Sequence, residues 1–319
     1  MTQQEQRLQV TAAAPDWFHW AVEQQGQSRR VEVAGCSIHY LLWQPDDGAD
    51  DGPIDDAAAR GSIFFLHGGG AHAHWWSHIA PFFRAGYRVV AMDLSGMGDS
   101  GDRVEYNASL RAAEIHAVMA DAGLHAGLGP KTYLVGHSFG GFMAMRYAAE
   151  HSDRLAGLVI ADSPLYPPGG NDDQRRRANP MGAIRLYPTF EEAVERFRLR
   201  PRQPCDNDYI VEYIARHSIR EVTGGFTWKF DTNAMAGRRF AEPFHEHLAA
   251  ASCPGAFFWA ENSALVTDEM AHYTTDLLGP NAPLVVIPAA HHHLILDQPL
   301  AFVAALRSLL ATWEASGKH

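Results

Sequence analysis

The sequence predicts an α/β fold: a mostly parallel sheet with helices on both faces, interrupted once by a helical insertion. Three observations lead there. Short apolar runs at 63–66, 87–92, 133–135, 155–161, 256–260 and 284–287 have the character of strands buried on both faces. Helix-forming stretches separate most of them, as crossovers between parallel strands require. Between 165 and 252 the rhythm stops, and Pro-rich breaks and helical segments replace buried strands.

In order along the chain, residues 1–14 read as loosely attached, and 15–25 (PDWFHWAVEQQ) as a short amphipathic helix. Residues 30–33 and 37–43 alternate like two strands of a hairpin turning near Ala34-Gly35. Residues 45–61 are rich in Asp, Gly and Ala and read as a long acidic loop with the character of a disordered insert. Helices are expected at 75–83, 110–122, 142–150 and 299–314 in the main body, and at 190–199 and 208–217 in the insertion. This divides the chain into a first core segment (1–164), the insertion (165–252) and a second core segment (253–319).

With 319 residues the chain is long enough to bury a large core, and 46% hydrophobic with 20% charged residues is ordinary for a globular enzyme. The net charge of −11 argues against a nucleic-acid partner, which needs a basic patch. The one dense basic run, Arg175-Arg176-Arg177, is offset by Asp172 and Asp173. Cys36, Cys205 and Cys253 are widely separated and odd in number, giving neither a disulfide framework nor a metal-ligand spacing. The polar start MTQQEQRLQV lacks a signal-peptide core, and no apolar run has membrane-spanning length, so the expectation is a cytoplasmic protein without a membrane partner.

The chemistry concentrates at the ends of the predicted strands. Gly136-His137-Ser138-Phe139-Gly140 is a G-x-S-x-G pattern between a strand and a helix. A chain turning directly from strand to helix strains the corner residue, and neighbouring side chains would clash, hence the glycines. The corner lifts the Ser138 hydroxyl above the sheet edge, at a helix N-terminus that favours negative charge. A serine hydroxyl needs a base beside it, and imidazole suits the task. An oxyanion site needs two N–H donors, and the backbone N–H of Phe139 is one candidate. Other strand ends carry His67-Gly68-Gly69-Gly70, Asp93-Leu94-Ser95-Gly96-Met97-Gly98-Asp99-Ser100, Asp162-Ser163-Pro164 and the histidine run 291–293. In open α/β sheets this edge is where ligands bind.

Four of these motifs together resemble the α/β-hydrolase family: Leu66-His67-Gly68-Gly69-Gly70, the loop 93–100, Gly136-His137-Ser138-Phe139-Gly140, and His291-His292-His293-Leu294-Ile295-Leu296-Asp297-Gln298-Pro299. They stand in the family's order and span most of the chain outside the insertion, which falls where the family carries its cap. The resemblance implies Ser138 as nucleophile and His292 as base, with His291 and His293 as the flanking alternatives. It also implies Gly69 as the second oxyanion donor, with Gly70 as alternative. His137 beside the nucleophile, and Trp228 and Phe226 in the aromatic segment of the cap, are the candidates for substrate contact. The loop 93–100 is expected to shape the rim and to carry no catalytic role.

The acid departs from the common pattern. Family members place an aspartate after the strand that follows the cap, and that position here holds Ser263. A serine carries no charge to stabilise an imidazolium. Some branches, including haloalkane dehalogenases and zearalenone lactonases, place the acid after the strand following the nucleophile. Here that position is Asp162, with Glu261 and Asp268 as alternatives.

The sequence therefore leads to a cap-bearing serine hydrolase that cleaves a carboxylic ester or lactone of a small, mostly apolar substrate through an acyl-enzyme. Hydrolysis of a carbon–carbon bond in a diketone is the enzymatic alternative, and a non-catalytic binding protein on the same scaffold is the alternative outside enzymes. No cofactor or metal is expected.

Overall fold

The computed structural model describes residues 7–45, 60–124, 132–167, 185–235 and 242–317. Most of the acidic loop 45–61 and the basic run at 175–177 lie outside them.

A helix α1 (Asp16–Glu23) leads into the hairpin β1 (Gln27–Val33) and β2 (Cys36–Trp43). Its turn residues Ala34 and Gly35 both have positive φ (47° and 74°), the combination that matches the twist of paired strands. Then follow β3 (Gly61–Leu66), β4 (Tyr87–Met92), α2 (Ala108–Asp121), β5 (Thr132–His137), α3 (Phe139–His151) and β6 (Leu155–Ala161). The excursion between β6 and the next sheet strand holds α4 (Phe190–Arg196), α5 (Asp208–His217), β7 (Ile219–Val222), β8 (Gly225–Trp228) and α6 (Phe244–Ala250). The sheet resumes with β9 (Gly255–Ala260), α7 (Asp268–Leu278) and β10 (Leu284–Ile287), and the chain closes with α8 (Leu294–Asp297) and α9 (Pro299–Ala315).

Eight strands form one sheet in the order β1-β2-β4-β3-β5-β6-β9-β10. The β1–β2 and β2–β4 pairs are antiparallel, and every pair from β4–β3 to β9–β10 is parallel. Side chains alternate across the pleat into two cores. Ile63, Phe65, Tyr133 and Val135 face one layer with Phe302, Leu306 and Trp313 of α9. Phe64, Leu66 and Leu134 face the other with α2 and α3. Trp76 stacks on Phe65 with ring centroids 4.4 Å apart, and burying each such aromatic contributes on the order of 2–3 kcal/mol.

Several expectations change. The helix expected at 75–83 is two separate 3-10 turns, Ala73–Trp76 and Ala80–Phe83. Pro81 has no N–H for an α-helical bond, so a continuous helix cannot form through it. Residues 7–14, expected to be loose, run across the insertion: Glu212 of α5 accepts the N–H groups of Thr11 (3.0 Å) and Ala12 (2.8 Å), and Arg216 donates to the Arg7 carbonyl. The insertion is mixed rather than purely helical, since β7 and β8 pair as an antiparallel hairpin. Helix α6, inside the expected 165–252 boundaries, packs on the core helix α3 with Phe244 4.9 Å from Phe142. Helix α7 had no assignment from the sequence. Its signal is Thr267, whose hydroxyl caps the Met270 N–H, followed by Asp268 and Glu269 in the first turn.

The loop after β4 docks the insertion onto the sheet. Gly98 N–H donates to the Lys229 carbonyl (2.8 Å), and Asp231 N–H donates to the Gly96 carbonyl (2.7 Å). Lys229 Nζ meets Asp99 Oδ2 at 2.8 Å, and the Tyr106 hydroxyl donates to Asp231. Asp93 holds the loop together: its carboxylate accepts the Asp99 and Ala73 N–H groups and lies 2.7 Å from His39 Nδ1. A Cβ at Gly98 would stand 2.3 Å from that carboxyl group, and φ there is +59°, so only glycine fits.

Candidate active site

Strands β3, β5, β6 and β9 are neighbours and parallel, so their carboxyl ends form one edge. Ser138 follows β5 at the N-terminus of α3, with φ 51° and ψ −116°, a conformation costly for a residue with a side chain. The corner is held by Ser138 N–H to the Ala161 carbonyl (2.9 Å) and by Ser163 Oγ–H to the Ser138 carbonyl (2.7 Å). A Cβ on Gly136 would lie 2.6 Å from the Gly140 carbonyl oxygen, and one on Gly140 would lie 2.6 Å from those of Leu66 and His67. The two flanking glycines are therefore a steric condition for the corner.

His292 and Asp162 converge on Ser138. His292 Nε2 lies 2.9 Å from Ser138 Oγ, and His292 Nδ1 lies 2.8 Å from Asp162 Oδ2. Asp162 is fully buried and also adopts positive φ (48°). With a carboxylate at Nδ1, that nitrogen carries the proton and Nε2 presents its lone pair to the serine hydroxyl.

Ser263, where an acid is usual, completes the arrangement. Its Oγ accepts the N–H groups of Leu265 (3.2 Å) and Val266 (3.1 Å). The hydroxyl proton is thereby directed to Asp162 Oδ2 at 2.6 Å. Asp162 Oδ1 accepts the Ala260 N–H at 3.0 Å. A carboxylate from β6 and a hydroxyl from the loop after β9 thus occupy adjoining places beside one imidazole. The hint in the sequence was Ser263 itself, read there as a gap and found here as a hydrogen-bond donor to the acid on the next strand.

The alternatives lie elsewhere. Glu261 accepts the Ala289 N–H, and Asp268 opens α7. His291 N–H donates to Asp297 (2.8 Å), and His293 is buried against Trp75, its backbone N–H on Gln203. The Gly70 N–H points to Met97 Sδ at 3.4 Å, which leaves Gly69 as the loop's candidate donor beside Phe139.

The three expected substrate contacts have the following neighbours in the fold. His137 is buried, and its Nε2 donates to the His292 carbonyl at 2.8 Å, bracing that backbone from below. Burial lowers its pKa to about 3, so the ring stays neutral. Phe226 packs edge-on against Phe190 in a small apolar cluster of the insertion with Ala193 and Ile219. Trp228 packs on Tyr187 and Phe197 beside it. Both rings thus have aromatic neighbours within the insertion.

Two groups offer several ligand atoms within 4.8 Å of one another: His137, His292 and His293, and His39, Asp93 and Asp99. In the first, both His292 nitrogens are engaged by Asp162 and Ser138. In the second, the Asp93 carboxylate is already taken by His39 and backbone N–H groups, and Asp99 pairs with Lys229.

With a strained serine at a strand–helix corner, an imidazole on it and a buried carboxylate behind, the architecture is that of a hydrolase. The model of the alpha/beta hydrolase family matches residues 63–306, and the chain belongs to that family. Among proteins it is similar to, a 2-hydroxy-6-oxononadienedioate/2-hydroxy-6-oxononatrienedioate hydrolase of Comamonas testosteroni is 34% identical over 139 residues, covering 42% of this chain and 45% of the relative. An esterase of Mycobacterium tuberculosis is 26% identical over 262 residues, covering 78% of this chain and 83% of the relative. The solved structure of E-2-(acetamidomethylene)succinate hydrolase superposes with TM-score 0.72 at 21% identity, covering 90% of this chain and 99% of that one. The protein is an enzyme of the hydrolase class. Among the described residues, no helix is long and apolar enough to cross a membrane.

Proposed function

We propose that the enzyme hydrolyses a carboxylic ester or lactone of a small-molecule substrate through an acyl-enzyme on Ser138. The observation that carries this reading is the unbroken hydrogen-bonded chain from Ser138 Oγ through His292 to Asp162. His292 Nε2 takes the serine proton as Oγ bonds to the carbonyl carbon. The Phe139 and Gly69 N–H groups receive the developing oxyanion. His292 then gives the proton to the departing alkoxide, the acyl group stays on Ser138, and a water activated by the same imidazole releases it as the acid. Asp162 orients the ring and stabilises its charged form, helped by the Ser263 hydroxyl. The excursion 165–252 acts as the cap over this edge.

Carbon–carbon bond hydrolysis beside a ketone is the second reading. It is favoured by the likeness over 139 residues to a relative whose name states a dienedioate substrate. A fluorophosphonate tests the nucleophile directly. Ser138 is expected to be labelled and Ser138→Ala to remain unlabelled. An unlabelled wild-type protein points instead to a binding protein on this scaffold. Parallel assays on aryl esters, lactones and vinylogous diketones separate the two reactions.

A further inference from the structure

Against the ring of Phe139, the residue after Ser138, lies a cation whose placement is energetically costly. Arg111 is in the first turn of α2, at the positive end of the helix dipole, yet only 3% of it is exposed. Its guanidinium carbon sits 4.8 Å from the centroid of the Phe139 ring and 5.3 Å from that of Tyr106. One terminal nitrogen donates to the carbonyls of Ala234 (2.9 Å) and Ser95 (3.4 Å). The cation is therefore enclosed between the residue that follows Ser138 and the insertion's turn Thr232–Met235.

Its charge is under-compensated. The nearby buried carboxylate is Glu114, one helical turn along α2. Glu114 already binds Arg103 Nε at 2.7 Å and the Ser95 N–H at 3.3 Å. Two largely buried guanidiniums thus share one carboxylate, leaving an excess positive charge where unpaired charge is expensive. Burial lowers the Arg111 pKa to about 10, and the group still remains a cation at neutral pH. Arg111 Nε and Ser95 Oγ, both buried, have no hydrogen-bond partner among the described residues. A folded chain tolerates this where a ligand supplies the missing charge and acceptors.

We propose that Arg111 and Ser95 form an anion subsite that receives a carboxylate carried by the substrate, next to the ester or lactone that Ser138 attacks. The inference rests on the hydrolase reading above and narrows its substrate class to carboxylate-bearing acyl compounds. Arg111 positions the substrate and takes no part in bond making.

The test uses 4-nitrophenyl hydrogen succinate, glutarate and adipate, each paired with its neutral methyl ester. The wild-type enzyme is expected to favour one monoanion over its neutral twin by about 10- to 100-fold in kcat/KM, the value of a hydrogen-bonded charge pair. Arg111→Met should bring that ratio to near one. Calorimetric binding of free glutarate, succinate or adipate gives a readout independent of turnover. Ser95→Ala, a milder change, should weaken it several-fold. Dicarboxylate binding that depends on Arg111 and Ser95 without any ester turnover would sink the hydrolase reading and keep the subsite. Ester turnover with no preference for any monoanion and no dicarboxylate binding by the wild type overturns the subsite, as does an equal fall on both members of a pair in Arg111→Met with unaltered binding in Ser95→Ala.

Discussion

Two regions of the molecule bury histidines at short range, and their partners make them opposite in character. At the strand edge, His292 has a buried carboxylate at Nδ1. At the seam between the core and the insertion, His72, His74 and His217 have hydroxyls and carbonyls instead. His72 Nε2 meets Ser218 Oγ at 2.9 Å, and because that hydroxyl donates to the Ile214 carbonyl, the imidazole must be the donor. His217 Nδ1 donates to the Tyr213 carbonyl at 2.8 Å, and its ring lies 4.1 Å from that of His74. Burial lowers the pKa of all three, to about 4 for His217, with Lys229 adding to the effect. Carbonyl and hydroxyl partners satisfy a neutral imidazole but offset only part of what burial costs a charged one. Only an imidazole backed by an acid is equipped to hold a proton in mid-reaction.

The contrast can be broken, starting at the acid. Asp162→Asn leaves the shape but removes the charge, and kcat is expected to fall by about 10⁴-fold in steady-state assays, as loss of a triad acid does. Because Ser263 Oγ touches the same carboxylate oxygen as His292, Ser263→Asp in the Asp162→Asn background should recover part of that loss. A double variant no faster than Asp162→Asn would mean that the loop after β9 cannot present an acid to this imidazole. Ser263→Ala alone removes one hydrogen bond to a charged group, and turnover should drop by roughly tenfold. The smallest effect belongs to the seam. A histidine whose folded pKa lies below its unfolded value of about 6.5 binds its proton first in the unfolded chain, so stability present above that pH is lost as pH falls toward about 4. Thermal melts should show this acid limb, and His217→Asn should make it shallower. An unchanged slope would place the loss on other groups, such as His72 or His74 across the seam.

Legibility from the sequence followed the range of the interactions. The strands 155–161 and 284–287 and the helix 208–217 were readable to the residue, because apolar runs and helix formers act locally. Residues 75–83 misled, since an aromatic run outweighed a single proline in the pattern but not in the backbone. Thr267-Asp268-Glu269 carried a helix start that the apolar pattern did not display. Phe226 and Trp228 had the composition of a binding pocket, yet their neighbours are Phe190, Tyr187 and Phe197, which only the folded insertion brings together.

By itself the sequence determined the family, the serine at its glycine-flanked corner, the histidine ahead of Asp297-Gln298-Pro299, and Asp162 as the acid to expect. Each of these is set by steric rules or by a motif of a few adjacent residues. Tertiary structure alone decided that Ser263 serves Asp162, that His137 braces His292, that the loop 93–100 docks the insertion, and that Arg111 Nε is buried without a partner among the described residues. Those outcomes depend on which strand ends and loops meet across the sheet edge. Hydrogen-bond partners and desolvation are properties of that meeting, and residues far apart in the chain acquire them only when the fold closes.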